Sequence, residues 1–139
     1  MPQSVSALRK RLLQLSEQMA ALQQVFLERG PLLPGKVYVL RRRCGKPTCR
    51  CQRGQLHETE VLGYRGGEHA QTITPAPEER ERLRLWTESY RRFRQARAEL
   101  VKLQAEMLEA IDAIGAMRVE QGKRRFERMR SGRHAGRRA

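Results

Sequence analysis

All three cysteines of the chain lie within eight residues, and a histidine follows shortly after them. Cys44, Cys49 and Cys51 together with His57 have the spacing C-x4-C-x-C-x5-H. Thiolates and an imidazole at such short intervals are the donors that a tetrahedral zinc ion prefers. We therefore predict a structural zinc ion held by Cys44, Cys49, Cys51 and His57, with His69 as the reserve fourth ligand.

The residues between the cysteines fit this prediction. Gly45 and Pro47 favour a tight turn between the first two thiols, and cationic neighbours such as Lys46 stabilise thiolates. Two other interpretations stay open: reduced cysteines that only pack in a β-turn, and a redox role through a disulfide. A catalytic Cys–His pair is less favoured, because the base in such a pair must be held by a third group.

The positive charge of the chain is concentrated in two blocks. The formal net charge is +14, and the Lys/Arg excess lies in residues 36–54 and 118–139. One such block is often only a solvated face or a tail, but two blocks and a pI near 11.1 favour a polyanionic partner. The predicted nucleic-acid contacts are Arg41, Arg42, Arg43, Lys46, Arg50, Arg53, Lys123, Arg124, Arg125, Arg128, Arg130, Arg133, Arg137 and Arg138.

One amphipathic helix is predicted on each side of the cysteines. Residues 1–29 carry an apolar stripe at 3-4 spacing from Val5 to Phe26, with Ser4 as a plausible N-cap. Residues 75–117 form a longer helix, whose stripe runs from Leu83 to Met117 and whose start follows a capping Thr74 and two prolines. Beyond this helix, residues 118–139 are rich in Arg and Gly, and we expect a disordered basic tail.

The middle segment, residues 30–74, is expected to form a small β element around the zinc ion. Residues 37–40 are rich in β-formers, and Gly66-Gly67 separates two further strand-like runs as a tight hairpin turn would. Three short strands do not make a core alone, so they need the metal or the helices. The predicted fold class is α+β: two long helices in a coiled-coil-like hairpin flanking a three-stranded zinc knuckle.

The helices also suggest a partner. The second predicted helix is the longer one, so a hairpin within one chain leaves part of its stripe uncovered. We expect a homodimer through the helices or a larger protein docked there.

No apolar run approaches the roughly 20 residues that span a bilayer, and the first residues lack the apolar core of a signal peptide. We therefore expect a cytoplasmic protein with reduced thiols and no membrane partner.

Several short motifs resemble a known family. Leu33-Pro-Gly35, Arg42-Arg-Cys-Gly-Lys-Pro47, Cys49-Arg-Cys51 and the following His57 resemble short bacterial and archaeal proteins of unknown function with an LPG…RRCGKPxCRC…H signature between two helices, often encoded near mobile elements. The stretch Trp86–Arg94 is similar to the family's helix after the β element. The resemblance covers about residues 30–100 and implies the architecture, but it carries no known activity.

One departure from that family follows His57. Relatives tend to continue with Gly-Pro and aromatic residues, whereas this chain continues Glu58-Thr-Glu-Val61. If those aromatic residues stack on bases in the relatives, this chain lacks that contact. Tyr38 and Tyr64 are the remaining candidates for stacking.

Taken together, these features predict a non-enzymatic, zinc-containing nucleic-acid-binding accessory protein. We expect it to act with mobile-element or other nucleoprotein machinery, and we favour DNA over RNA, hence a nucleoid location, through the mobile-element resemblance. The alternative is a coiled-coil protein–protein adaptor whose basic surface is secondary. An enzyme is the third interpretation, and we predict no catalytic residue. Metal-dependent nucleases need convergent carboxylates, and the only aspartate, Asp112, lies deep in the predicted long helix.

Overall fold

The computed structural model describes residues 3–138 and shows two helices and a three-stranded antiparallel sheet, which confirms the α+β fold class. The elements, in chain order, are α1 (Val5–Leu27), β1 (Gly35–Arg42), a 3₁₀ turn (Arg50–Arg53), β2 (His57–Gly66), β3 (His69–Ile73) and α2 (Arg80–Arg138). The described residues divide into two compact units. A helical unit contains residues 3–26 and 97–138, and a sheet unit contains residues 27–96.

Helix α1 begins where its capping residue predicts. The Ser4 hydroxyl accepts a hydrogen bond from the Ala7 backbone N–H at 3.0 Å, which satisfies one of the free donors of the first turn. Leu8 and Leu15, two members of the predicted stripe, are buried. The stripe therefore packs, as its 3-4 spacing indicates.

In the helical unit, α1 packs against the C-terminal part of α2. Leu103 and Ala110 are the buried α2 residues of this unit, at 2% and 5% exposure. Arg11 pairs with Glu106 at 3.1 Å, and Val5 lines a surface depression together with Met117. Lower numbers on α1 thus meet higher numbers on α2, so the two helices run antiparallel within one chain.

The sheet unit has β2 as its central strand. The strand order is β1-β2-β3, and the register places Val37 opposite Leu62. Gly66 pairs with His69, so the hairpin loop is Gly67-Glu68, one residue later than the predicted Gly66-Gly67 turn. Gly67 has a φ of +70°, as the first loop residue of a type II′ turn requires.

Strand β2 is covered on both faces at its centre. Val61 and Leu62 point to opposite faces, and both are about 97% buried or more. Glu60 shares a face with Leu62 and forms an ion pair with Arg84 of α2, so this face meets α2. On the other face, a Cβ on Gly63 would lie 3.2 Å from the Tyr38 ring, so the glycine leaves room for that ring.

The Leu33-Pro-Gly35 motif fixes the entry into β1. The Leu33 backbone N–H donates to the Trp86 carbonyl of α2 at 3.1 Å. A Cβ on Gly35 would lie 2.8 Å from the Gly63 carbonyl oxygen, closer than real Cβ atoms approach. A glycine is therefore required where β1 begins its pairing with β2.

Helix α2 begins later than expected. We expected the helix to begin at residue 75, with Thr74 as its cap, but residues 74–79 form an extended segment and a turn, and the helix begins at Arg80. The reason lies in the Pro75-Ala76-Pro77 sequence, because a residue that precedes a proline is pushed out of the helical region. The Glu79 N–H then donates to the Ala76 carbonyl at 2.9 Å and makes the turn before the first helical residue.

The largest difference from the expectation lies in residues 118–138, which continue α2 where we expected a disordered tail. Arg, Lys, Glu, Gln and Met are good helix formers and dominate residues 118–130. Arg124 also pairs with Glu120 one turn earlier at 3.3 Å. Within residues 3–138, no helix is long and apolar enough to cross a membrane.

The packing of α1 makes a prediction about stability. Leu15→Ala should lower the free energy of unfolding by about 2–5 kcal/mol, because Leu15 is fully buried. The measurement is chemical denaturation followed by circular dichroism. The matched control is Leu13→Ala, whose side chain is 66% exposed and should change stability by under about 0.5 kcal/mol. Equal effects of the two variants would contradict the packing of α1.

Candidate metal centre

The connection between β1 and β2 carries the three thiols. It runs from residue 43 to residue 56, and His57 is the first residue of β2. A connection of this length with only one 3₁₀ turn needs something to hold it. The Sγ atoms of Cys44, Cys49 and Cys51 and a ring nitrogen of His57 all lie within 4.8 Å of one another.

Short turns place each thiol. The Cys49 N–H donates to the Lys46 carbonyl at 3.2 Å and closes the turn that Gly45 and Pro47 favour. The Gln52 N–H donates to the Cys49 carbonyl at 3.1 Å and starts the 3₁₀ turn. Gly54 ends this turn at a φ of +103°, a left-handed conformation that favours glycine.

Strand β2 positions His57 at the cluster. His57 pairs with Arg42 at the end of the β1–β2 ladder, and it alternates onto the same face of β2 as Val61. From there its Nε2 atom lies 3.1 Å from the Cys49 Sγ. The cluster therefore sits at the end of the β1–β2 ladder.

Hydrogen bonds within the cluster orient the sulfur atoms. The Cys44 backbone N–H donates to the Cys51 Sγ at 3.3 Å, and the Sγ atoms of Cys44 and Cys51 are 3.5 Å apart. The Gln52 side-chain amide donates to the Cys44 carbonyl at 3.3 Å. Backbone N–H groups aimed at thiolate sulfur are the outer contacts that support metal ligands.

The two closest thiols differ in acidity. A hydrogen bond from the Lys46 backbone, followed by hydrogen bonds from the Cys49 and Cys51 thiols, lowers the pKa of Cys44. Burial raises the pKa of Cys51, and donation of its proton toward Cys44 adds to the rise. Without a metal, Cys44 is therefore the first of the two to ionise as the pH rises, and Cys51 ionises later.

The four donors fit a tetrahedral metal ion. With metal–sulfur bonds of about 2.3 Å, tetrahedral geometry separates two sulfur ligands by roughly 3.8 Å. The 3.5 Å between Cys44 and Cys51 and the 4.8 Å limit of the whole cluster require only small shifts to reach it. The cluster selects His57 among the described histidines, and the reserve ligand His69 is not part of it. All three cysteines are free thiols.

Exposure falls across the cluster from the histidine to the last cysteine. Cys51 is 0% exposed, Cys44 and Cys49 are half-buried, and His57 is exposed. Cys51 thus anchors the connection to the interior of the sheet unit. The cluster as a whole lies near the surface, where the surrounding basic side chains are.

The predicted basic residues of the first block are all exposed around the cluster. Arg41 forms an ion pair with Glu58 at 3.1 Å, so part of its charge is already compensated. Arg50 and Arg53 lie on the 3₁₀ turn and line one surface depression together with Gln55. The remaining members of this block are also exposed: Arg42, Arg43 and Lys46.

The predicted basic residues of the second block lie along the end of α2. Lys123, Arg124, Arg125, Arg128, Arg130, Arg133 and Arg137 are exposed, and the side chain of Arg138 is outside the described part of the chain. Arg130 lies over the ring of Phe126, 5.7 Å from its centroid. The two residues line a depression with Arg133, His134 and Arg137. This block is therefore an ordered basic helix in the structure.

Sequence reasoning missed the two glutamines beside the cluster. Gln52 holds the Cys44 carbonyl, and Gln55 completes the depression of Arg50 and Arg53. Neither residue type points to a site. The one sequence signal for a turn at these residues was Gly54, the residue that follows the 3₁₀ turn containing Cys51.

Comparison with known families finds one match. A family model for DUF6788, a domain of unknown function, matches residues 5–85. The chain belongs to this family. The matched region includes α1, the whole sheet and the cluster of three cysteines and His57. No curated protein and no solved structure shows a detectable match.

The cluster predicts a defined metal stoichiometry. Titration with Co²⁺ should give one ion per chain and the absorption of a thiolate-bound tetrahedral ion. Cys51→Ala and His57→Ala should each weaken binding by at least about 100-fold, because each removes a ligand. The control His69→Ala should bind as the unaltered chain does. Weakening by His69→Ala but not by His57→Ala would overturn the assignment of the fourth ligand.

The acidity of the thiols predicts proton release. Since the pKa of Cys51 is raised above the ordinary thiol value of about 8.5, metal binding at about pH 7 should release at least one proton, and affinity should rise with pH. Calorimetry of Zn²⁺ binding in buffers of different ionisation enthalpy measures this number. Binding without proton release would show that Cys51 is not a thiolate ligand.

Proposed function

We propose that this chain is a non-enzymatic, zinc-containing nucleic-acid-binding accessory protein. The metal centre holds the β1–β2 connection in one conformation, and that connection presents arginines to phosphate groups. The observation that supports this proposal is a surface depression lined by Arg50, Arg53 and Gln55. The first two lie on the same 3₁₀ turn as the buried Cys51.

Zinc is the ion that best matches the donors. Three thiolates and one imidazole are soft to borderline ligands, which suit Zn²⁺ and disfavour Mg²⁺ or Ca²⁺. The bound centre would carry one net negative charge. The cationic neighbours, among them Arg50 and Lys46, offset this charge.

The 3₁₀ turn explains why two arginines can share one phosphate. Residues three apart eclipse one another on a 3₁₀ helix, so Arg50 and Arg53 project from the same side of the turn. Guanidinium groups bind phosphate oxygens through paired N–H donors, and the Gln55 amide supplies a further donor. Such contacts position a nucleic acid without reading its sequence.

The basic end of α2 supports duplex DNA as the partner. The exposed arginines of residues 118–137 lie on a continuous helix. A continuous basic helix is a shape that proteins place in the major groove, which side chains reach in DNA but not in A-form RNA. The resemblance to proteins encoded near mobile elements agrees with DNA and supports a role beside mobile-element or other nucleoprotein machinery.

The number of protein donors supports a structural zinc site and not a catalytic one. Catalytic zinc sites keep one coordination position open for water or substrate, whereas structural sites use four protein ligands. Cys44, Cys49, Cys51 and His57 supply all four. Their role in the proposal is to hold the arginines in place.

A protein–protein adaptor is the alternative function. The observation that favours it is a set of apolar side chains that α2 leaves exposed, among them Leu108, Ile111 and Phe126. In an adaptor these side chains would bind a larger nucleoprotein component, and the basic residues would be secondary. Weak binding to every nucleic acid, even at low salt, would favour this alternative.

The proposal predicts a salt-dependent affinity that depends on the arginine pair. If about six phosphates are neutralised, log affinity for duplex DNA should fall with log salt at a slope of about −5. Arg50→Ala/Arg53→Ala should weaken binding and reduce the magnitude of the slope by about 2. Fluorescence anisotropy with zinc-loaded protein, duplex DNA, single-stranded DNA and structured RNA measures both quantities.

The control for this experiment removes the same charge elsewhere. Arg9→Ala/Lys10→Ala changes two exposed basic residues of α1 and should leave the slope within about 0.5 of the original. Equal effects of the two double variants would show that only net charge matters. That result would remove the arginine depression from the mechanism.

A further inference from the structure

The sheet has one face that points away from α2. Glu60 and Leu62 lie on the face that meets α2, and Val61 lies on the opposite one, which we call the outer face. Strand alternation and the register of the three strands determine which other residues share it. Among its members are Lys36, Tyr38, Arg42, Arg65, Ala70 and Thr72. Their side chains are exposed, apart from the half-buried Tyr38.

The charges of the strands are sorted between the two faces. Both carboxylates of the strands, Glu58 and Glu60, lie on the face toward α2, and there they pair with Arg41 and Arg84. The basic residues of the outer face form no ion pair within residues 3–138, and they are Lys36, Arg42 and Arg65. Uncompensated positive charge on one face favours a polyanionic ligand.

The connection that carries the thiols continues this charge pattern. His57 begins β2 on the outer face, and residues 43–56 contain no Asp or Glu. Glu68 lies in the hairpin loop, at the opposite end of β2 from His57. The segment without carboxylates therefore leads directly onto the outer face.

Tyr38 lies against the outer face. A Cβ on Gly63 would be 3.2 Å from Cε1 and 3.9 Å from the hydroxyl oxygen of Tyr38, so the ring occupies the space that a side chain at residue 63 would fill. Because Tyr38 is half-buried, the side of its ring away from Gly63 is open to solvent. The Tyr64 hydroxyl, in contrast, donates to Gln71 at 2.8 Å on the face toward α2. Of these two tyrosines, Tyr38 is the one that can accept a planar group on its ring.

Cations lie next to this ring. Lys36 is the partner of Gly63 on β1, and Arg65 follows Gly63 by two residues along β2. Neighbours of this kind on one face of a sheet are separated by about 5–8 Å, within reach of long side chains. The outer face therefore combines an accessible aromatic ring with a lysine and an arginine beside it.

We propose that the outer face binds single-stranded DNA, with one base stacked on Tyr38 and the adjacent phosphates held by Lys36 and Arg65. Aromatic side chains that stack on bases and basic side chains that follow the backbone are the two elements by which proteins bind single strands. An unpaired base is required, because the bases of a duplex already stack on one another. This inference rests on the proposed function and adds to it a surface for an unpaired strand.

The first test compares two polymers with the zinc-loaded full chain. In fluorescence anisotropy with an oligothymidine of about twelve nucleotides, Tyr38→Leu should weaken binding by about fivefold or more, because one stacking contact is lost. Its affinity for duplex DNA should stay within about twofold of the original. Tyr38→Phe keeps the ring and should bind the single strand within about twofold of the unaltered chain. Tyr64→Leu is the control on the opposite face and should leave this affinity unchanged.

The second test addresses the phosphates. Lys36→Ala/Arg65→Ala removes two exposed cations and should reduce the magnitude of the salt slope for the single strand by about 1.4. The control Arg9→Ala/Lys10→Ala removes the same charge from α1 and should leave that slope unchanged. Equal effects of the two double variants would overturn the placement of the phosphates on the outer face.

Photocrosslinking locates the stacked base without any protein variant. A single strand that contains iodouracil should crosslink to Tyr38, as identified by mass spectrometry of the digested protein. A crosslink confined to other residues would overturn the inference, and so would a folded Tyr38→Leu variant, checked by circular dichroism, that binds the single strand normally. Equal weakening on duplex and single strand would overturn the requirement for an unpaired base.

Failure of this inference can be told apart from failure of the proposed function. Normal single-strand binding by Tyr38→Leu, together with weaker duplex binding by Arg50→Ala/Arg53→Ala, would overturn the inference and leave the proposed function in place. Absence of binding to both polymers by the unaltered chain would overturn both.

Discussion

The Cys3His cluster is the constraint on which the sheet unit depends. A connection of fourteen residues between β1 and β2 would otherwise cost conformational entropy without returning packing energy. Only Cys51 within it is fully buried, so apolar contacts alone do not hold it. Three of its thiols and the first residue of β2 form a cluster that could hold a metal ion, and coordination there would supply the missing free energy.

The same constraint organises the charge around the cluster. Arginines that crowd one short segment repel one another, and repulsion favours an extended chain. A centre that binds through thiolates brings negative charge into their midst and fixes the backbone that carries them. The arginine side chains remain exposed, so their charge is available to a partner. In the proposed function, metal binding and phosphate binding are coupled through one segment, since loss of Cys51 as a ligand would also release Arg50 and Arg53.

Much of this arrangement could be predicted from the sequence because the signals are local. Four metal donors within fourteen residues, the cap at Ser4 and the glycine turn after β2 each depend on a few neighbouring residues. The predicted start of α2 is five residues too early, because the Pro75-Ala76-Pro77 sequence keeps the chain after the capping Thr74 out of the helical region. The roles of Gln52 and Gln55 could not be predicted, since an amide side chain has no characteristic spacing and acts only where the fold brings it.

The end of α2 shows how one helix can carry several surfaces. A period of 3.6 residues places the buried Leu103 and Ala110 on the side of α2 that packs on α1, while the exposed Phe126 shares a depression with Arg130 and Arg133. Residues 118–137 are exposed throughout and include three glycines, so few contacts within the chain offset the entropy of forming the helix there. Repulsion among closely spaced arginines adds to that cost. A partner that neutralises the arginines or covers Val119 and Phe126 would lower it, and the helix of this segment is therefore expected to be most stable when its partner is bound.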